Sequence, residues 1–192
     1  MPDSFDKAYY DRFYRDPRTR AVTPAAARRQ ADFIAAYLKH LELPVRRILD
    51  IGCGVGTGLR ALARHFPRAT VHGVEFSPYL CRRYGWSQGS VVDFQAQAPF
   101  DLVVCNDVLA YLDAAACSRA ITNLGKLSRG AAFLGVLTED DADLYDPERT
   151  DDRQQLRPAA WYRRRLSRHF SSIGGGMYLR RPIEVVVWSL DR

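Results

Sequence analysis

The residues best able to do chemistry in this 192-residue chain lie where glycine meets acid. Ile48-Leu49-Asp50-Ile51-Gly52-Cys53-Gly54-Val55-Gly56 reads as a strand, a tight turn and the start of a helix. Glycine lets the backbone bend sharply and lets a ligand approach with no Cβ in the way. The following helix offers unpaired N–H groups and the positive end of its dipole. The same device serves dinucleotides, so the spacing has to decide. A G-x-G-x-x-G fingerprint starting at Gly52 needs glycine where Thr57 stands, and one starting at Gly54 needs it where Leu59 stands. What remains is G-x-G-x-G, which weighs against a nicotinamide or flavin dinucleotide.

Three further strand ends carry suitable groups. Glu75, followed by Phe76, closes the second strand, 19 residues after Gly56. A carboxylate there can accept both hydroxyls of a ribose. Asp93-Phe94 closes a short third strand, where an acid and a ring can flank a purine. Cys105-Asn106-Asp107 closes the fourth. Open α/β sheets bind ligands at the carboxyl ends of their strands.

The elements that must position these residues alternate. Thr23-Pro24 starts a helix, with Phe33, Ile34, Tyr37, Leu38 and Leu41 at helical spacing. Strands follow at 48–51, 70–75, 90–93 and 102–105. The helices between them are marked by Leu59, Leu62 and Phe66, by Ser77-Pro78, and by Asp113 to Leu127. Gly130 is read as closing that last helix, and 131–137 as a fifth strand. Such alternation implies a parallel sheet covered on both faces. A helix over about 158–169 precedes two β-runs, 172–180 and 183–190, read as an antiparallel pair separated by Arg181-Pro182. No repeat or linker divides the chain, so residues 1–192 are one domain, with 1–22 as an N-terminal lid or docking segment.

Composition bounds the class. Apolar residues make up 47% and charged residues 26%, as in an ordinary soluble globular protein. No apolar run is long enough to span a bilayer. The acidic, polar N-terminus has no secretory core, so a cytoplasmic location is expected. Four cysteines with no C-x-x-C pair suggest packed thiols rather than a disulfide framework or a zinc site, and no metal is expected. The net charge is +6, but the arginines are scattered apart from 163–165 and 168, where a nucleic-acid binder would carry a denser stripe.

Taken together, these segments resemble the class I S-adenosylmethionine-dependent methyltransferases. "ILDIGCGVG" is similar to the family's first motif, "VHGVE" to its second, "SVVDF" to its third and "PFDLVVCNDVLAYL" to its fourth. The resemblance runs from about Ala31 to the C-terminus. It implies a doubly wound, mostly parallel seven-stranded sheet of order 3-2-1-4-5-7-6, its last strand antiparallel, with helices on both faces. It also implies S-adenosylmethionine as cofactor, leaving as S-adenosylhomocysteine. The cofactor-binding candidates are Asp50, Gly52, Cys53, Gly54, Glu75, Phe76, Asp93, Phe94 and Asn106. The span between the second and third strands is short, which leaves the adenine side thinly walled.

The acceptor is harder to read. Asp107, Tyr111, Tyr14 and Trp161 are the candidates for touching substrate, and no catalytic base announces itself. The run Tyr9-Tyr10-Asp11-Arg12-Phe13-Tyr14 reads equally as a lid over the cofactor or as an amphipathic helix docked on the sheet edge. The loop 139–152 holds eight acids against Arg149, either a lure for a cationic substrate or a solvated loop. The expected acceptor is a small molecule, because Cys105-Asn106-Asp107-Val108 stands where amino-methylating nucleic-acid enzymes carry Asn/Asp-Pro-Pro-aromatic. The rival readings are an RNA or protein methyltransferase and a methyltransferase-like domain that binds the cofactor without turnover.

Overall fold

A computed structural model describes residues 5–21 and 23–187 of the chain. Its elements are α1 (Lys7–Tyr10), continued by a π-helical turn (Asp11–Arg15), then α2 (Pro24–His40), β1 (Arg47–Ile51), α3 (Thr57–His65), β2 (Thr70–Glu75), α4 (Pro78–Tyr84), β3 (Ser87–Gln88), β4 (Phe100–Asn106), α5 (Ala114–Leu127), β5 (Ser128–Gly135), α6 (Ala159–Leu166), β6 (Phe170–Gly174) and β7 (Met177–Arg180). The sheet order is β3-β2-β1-β4-β5-β7-β6, as the motifs imply. β1 pairs in parallel with both β2 and β4, which puts it at the reversal of strand order. β7 runs antiparallel to both β5 and β6.

Period-two alternation splits the central strands between two cores. Leu49, Ile51, Val103 and Cys105 pack toward Ile121, Leu124 and Phe170. Ile48, Leu102 and Val104 pack toward Ile34, Leu38, Leu59 and Leu62. Every one of these residues is buried, which is why β1 and β4 read as nearly continuous apolar runs. The helix starts follow capping chemistry: Thr23 Oγ1 accepts from Ala26 N, and Asp113 Oδ1 accepts from Ala116 N.

Four expectations are corrected. The third strand is Ser87–Gln88; residues 91–93 form a turn closed by bonds from Asp93 N and Phe94 N to Ser90 O. Gly130 lies inside β5 and does not end α5, which stops at Leu127. A Cβ there would stand 2.6 Å from Asp101 O, so glycine serves close strand approach. The run 172–180 is itself part of the hairpin, turned through Gly174, Gly175 and Gly176 at positive φ. Residues 183–187 form no strand; Val187 is buried against the α2 side, and 188–190 lie outside the described residues. Finally, α6 ends at Leu166, so His169 is not at its terminus. Burial, with Arg180 and Arg168, disfavours its charge.

Asp101 ties the lower edge of the sheet. Its carboxylate accepts from Arg46 N and Arg47 N, both at 2.8 Å, and from Arg129 Nε at 2.7 Å. Burial works against the charge, but Arg129 and the two N–H groups outweigh it and hold the carboxyl below its usual range. A carboxyl depressed in the fold stabilises above its unfolded pKa and loses that contribution as pH falls through its folded value. Asp101→Asn should therefore cost about 1–3 kcal/mol at neutral pH, the scale of charge-assisted bonds. In urea unfolding the difference from the parent chain should shrink as pH falls below about 4.

Candidate active site

The turn after β1 is fixed from β2. Gly52 N and Cys53 N both donate to Val74 O, at 2.8 and 3.1 Å. Gly52 sits at φ 81°, and a Cβ there would stand 2.2 Å from Val108 Cγ2. No other residue fits that conformation and that space. Glu75, 5% exposed at the end of β2, reaches across to the turn. Its Oε2 accepts from Gly54 N at 2.8 Å, and its Oε1 accepts from Ser77 N at 3.0 Å and from the Tyr10 hydroxyl at 3.4 Å.

Asp50, 6% exposed on β1, has no hydrogen-bonding cation beside it among the described residues. Burial, and then the charge on Glu75, push its carboxyl up to about 7. Asp107, just past β4, adopts φ 55°, costly for a residue with a Cβ. It is held there by Asp107 N donating to Gly135 O at 2.9 Å and by Asn106 Nδ2 donating to its Oδ2 at 2.6 Å. Burial pushes it up to about 6, with the Asn106 amide opposing. A cavity of about 110 Å³ opens between these groups, lined by Asp50, Gly52, Asn106, Asp107, Tyr14 and Gln30.

The predicted residues divide accordingly. Asp50, Gly52, Cys53, Asn106, Asp107 and Tyr14 share the cavity wall, and Glu75 and Gly54 meet beside it. Phe76 is 48% exposed, with Phe5 edge-on at 6.5 Å. Asp93 is exposed on the turn after Ser90, and the Phe94 ring lies against His72, centroids 5.8 Å apart. Neither lines the cavity. Tyr111 shares a hydroxyl contact with Tyr9 at 3.1 Å. Trp161 lies between Arg165 and Arg157 at 3.5 and 5.1 Å, as part of the α5–α6 packing and away from the cavity wall.

Two contributors escaped the sequence reading, and a third, Tyr10, was read there only as part of the N-terminal aromatic run. Tyr10 reaches Glu75. Trp86 Nε1 donates to Gly54 O at 3.0 Å, and its ring fills the space beside Gly56 and Gly73. Gln30 falls on the inward stripe of α2 with Ala27, Ala31 and Ile34, a lone amide whose spacing was its only signal. The cysteines are inert packers. All four are free and buried, and burial followed by the nearby acids pushes the Cys53 thiol well up. The acidic loop serves itself: Thr138 and Asp141 form a capping box, Asp140 accepts from Ala159 N, and Asp151 pairs with Arg153.

Residues 49–132 match a family described as a methyltransferase domain. The chain is 28% identical over 157 residues to trans-aconitate 2-methyltransferase of Pseudomonas paraeruginosa, covering 78% of this chain and 51% of that protein. It is 31% identical over 137 residues to ubiquinone biosynthesis O-methyltransferase of Xylella fastidiosa, covering 64% and 52%. It thus spans about half the length of the curated relatives it matches. Among solved structures, magnesium protoporphyrin IX methyltransferase of Synechocystis with bound SAH superposes with a TM-score of 0.64 at 20% identity, over 93% of this chain and 94% of that one. The sugar N-methyltransferase KedS8 of a Streptoalloteichus species gives 0.54 at 27% identity, over 68% and 55%. The strand order and the glycine turn with its acid partner agree with the match: residues 49–132 resemble a methyltransferase domain, and the fold is that of the solved methyltransferases above.

Proposed function

We propose that the chain binds S-adenosylmethionine between the β1 turn and the ends of β2 and β4 and transfers its methyl group to a small-molecule acceptor. The observation that carries this is the cavity with a buried carboxyl, Asp50, and a half-buried one, Asp107, beside a glycine turn that Glu75 grips. The donor set fits the cofactor. The acids suit the ammonium of its amino-acid end, the glycines admit close backbone approach, and Glu75 suits a ribose. Bound there, the cofactor would supply a methyl group on a sulfonium that is already a good leaving group. The protein then has to position the acceptor and exclude water, a gain on the order of 7–11 kcal/mol in favourable cases.

Tyr14 and Asp107 are the side chains that would face the acceptor. Burial, and then the negative charge of Asp107, keep the Tyr14 phenol protonated, so it acts as a hydrogen-bond donor. Asp107 is the carboxylate able to orient an amine or to take a proton from a hydroxyl. The relatives named for trans-aconitate and ubiquinone biosynthesis support a small-molecule acceptor. The reading places the enzyme in the cytoplasm, where four buried free thiols stay reduced. No helix among the described residues is long and apolar enough to cross a membrane.

Calorimetry with S-adenosylhomocysteine tests the binding. The parent chain should bind it, and Glu75→Ala should lose at least tenfold in affinity; equal binding by both would remove Glu75 from the site. The same titration has a pH signature. Asp50, near 7 when the site is empty, must be charged to hold an ammonium. Binding should therefore release a proton at pH 6, and affinity should rise roughly tenfold between pH 6 and pH 8. Asp50→Asn should flatten that rise, and an unchanged slope would assign it elsewhere.

A further inference from the structure

The cavity covers only part of what the proposed cofactor needs. At about 110 Å³ it falls below the roughly 300–1,000 Å³ of pockets that enclose a whole ligand of that size. Its walls are the Asp50, Asn106 and Gln30 side; Glu75 and Phe76 do not line it. The space next to Glu75 is taken by the chain's own N-terminal segment. Tyr10 is buried there, its hydroxyl on Glu75 Oε1 and its ring near Tyr14 and Tyr79 at 5.3 and 6.4 Å.

Lone-pair counting decides whether a ribose can join this arrangement. A carboxylate offers about four acceptor positions, two on each oxygen. Ser77 N and the Tyr10 hydroxyl fill Oε1, and Gly54 N fills half of Oε2. One position is left, on Oε2. A ribose diol held by both oxygens needs one on each, and the backbone donors are fixed by the fold. The phenol is the ligand that can leave.

Resting on the cofactor reading above, we propose that Tyr10 is a specificity and affinity determinant of the ribose subsite. Its hydroxyl occupies the position of one ribose hydroxyl on Glu75, and the nucleoside must displace it to bind. The segment carrying it is held by a set of its own contacts. Phe5 O accepts from Ser77 Oγ at 2.6 Å, Phe5 and Tyr9 pack on Tyr111, and Asp11 bridges Lys7 and Arg15 on the outer side. Its π-helical turn, Asp11–Arg15, lies between Tyr10 and the residues that lead to α2.

The probes are 5′-methylthioadenosine and S-adenosylhomocysteine, titrated by calorimetry into the parent chain, Tyr10→Phe, Glu75→Gln and the double variant. Removing one phenolic hydroxyl should tighten both ligands about three- to tenfold. The gain should vanish in the Glu75→Gln background, where one of the two acceptor oxygens becomes an NH2 and the pair that holds a ribose diol is broken. Unchanged or weaker binding by Tyr10→Phe, with the parent chain still binding, overturns the displacement and leaves the cofactor site standing. A gain that persists in the Glu75→Gln background also overturns it, because the effect would not run through the carboxylate. Failure of every form to bind either nucleoside overturns the cofactor reading and this proposal with it. Thermal melts of the four proteins show which are folded, and the Tyr10→Phe comparison keeps its meaning even where the Glu75 variants are lost.

Discussion

The site depends on one buried contact, the Glu75 carboxylate accepting the Gly54 N–H across the gap between two parallel strands. The chain passes from β1 to β2 through α3, and the ladder between these two strands ends at Ile51 and Val74. Beyond them the turn is held by Val74 O, Glu75 and the Trp86 indole on Gly54 O. A carboxylate buried without a cation is costly unless hydrogen bonds satisfy it. Here the backbone N–H groups of Gly54 and Ser77 do so, and the acid thereby shapes the turn. The residue suited to hold a ribose is also the residue that sets the curvature of the glycine loop.

The same contact raises the cost of Asp50 one strand away. Burial, and then the charge of Glu75, push the Asp50 carboxyl toward protonation. Carboxyls arranged in this way suit a cation. Asp107 is kept at positive φ by Asn106 and Gly135, and a Cβ on Gly135 would stand 2.0 Å from Asn106 Oδ1. Strain at that position is sustained by its surroundings, as at sites where geometry matters more than stability.

The central sheet and the turn were legible because their signals are local. Apolar strands, glycines at fixed spacing and an acid at the next strand end each follow from backbone sterics or burial. The third strand was misplaced because Ser87–Gln88 is two residues long, and Val91-Val92 imitates a strand while forming a turn. That slip carried Asp93 into the site candidates, although it stands exposed. The C-terminal valines mimic a strand in the same way, and the hairpin is set instead by the glycines at 174–176. Trp86, Gln30 and the reach of Tyr10 to Glu75 were hidden for another reason. Tyr10 and Trp86 act through contacts distant in sequence, which no periodicity encodes, and Gln30 is a lone amide on an otherwise apolar stripe.

A crystal structure of the chain with S-adenosylhomocysteine tests the central claim most directly. The amino-acid end is expected in the cavity between Asp50, Asn106 and Gln30, and the ribose hydroxyls on Glu75. A ligand bound away from Glu75, or a site still empty at saturating ligand with Glu75 gripping the glycine turn, would contradict it.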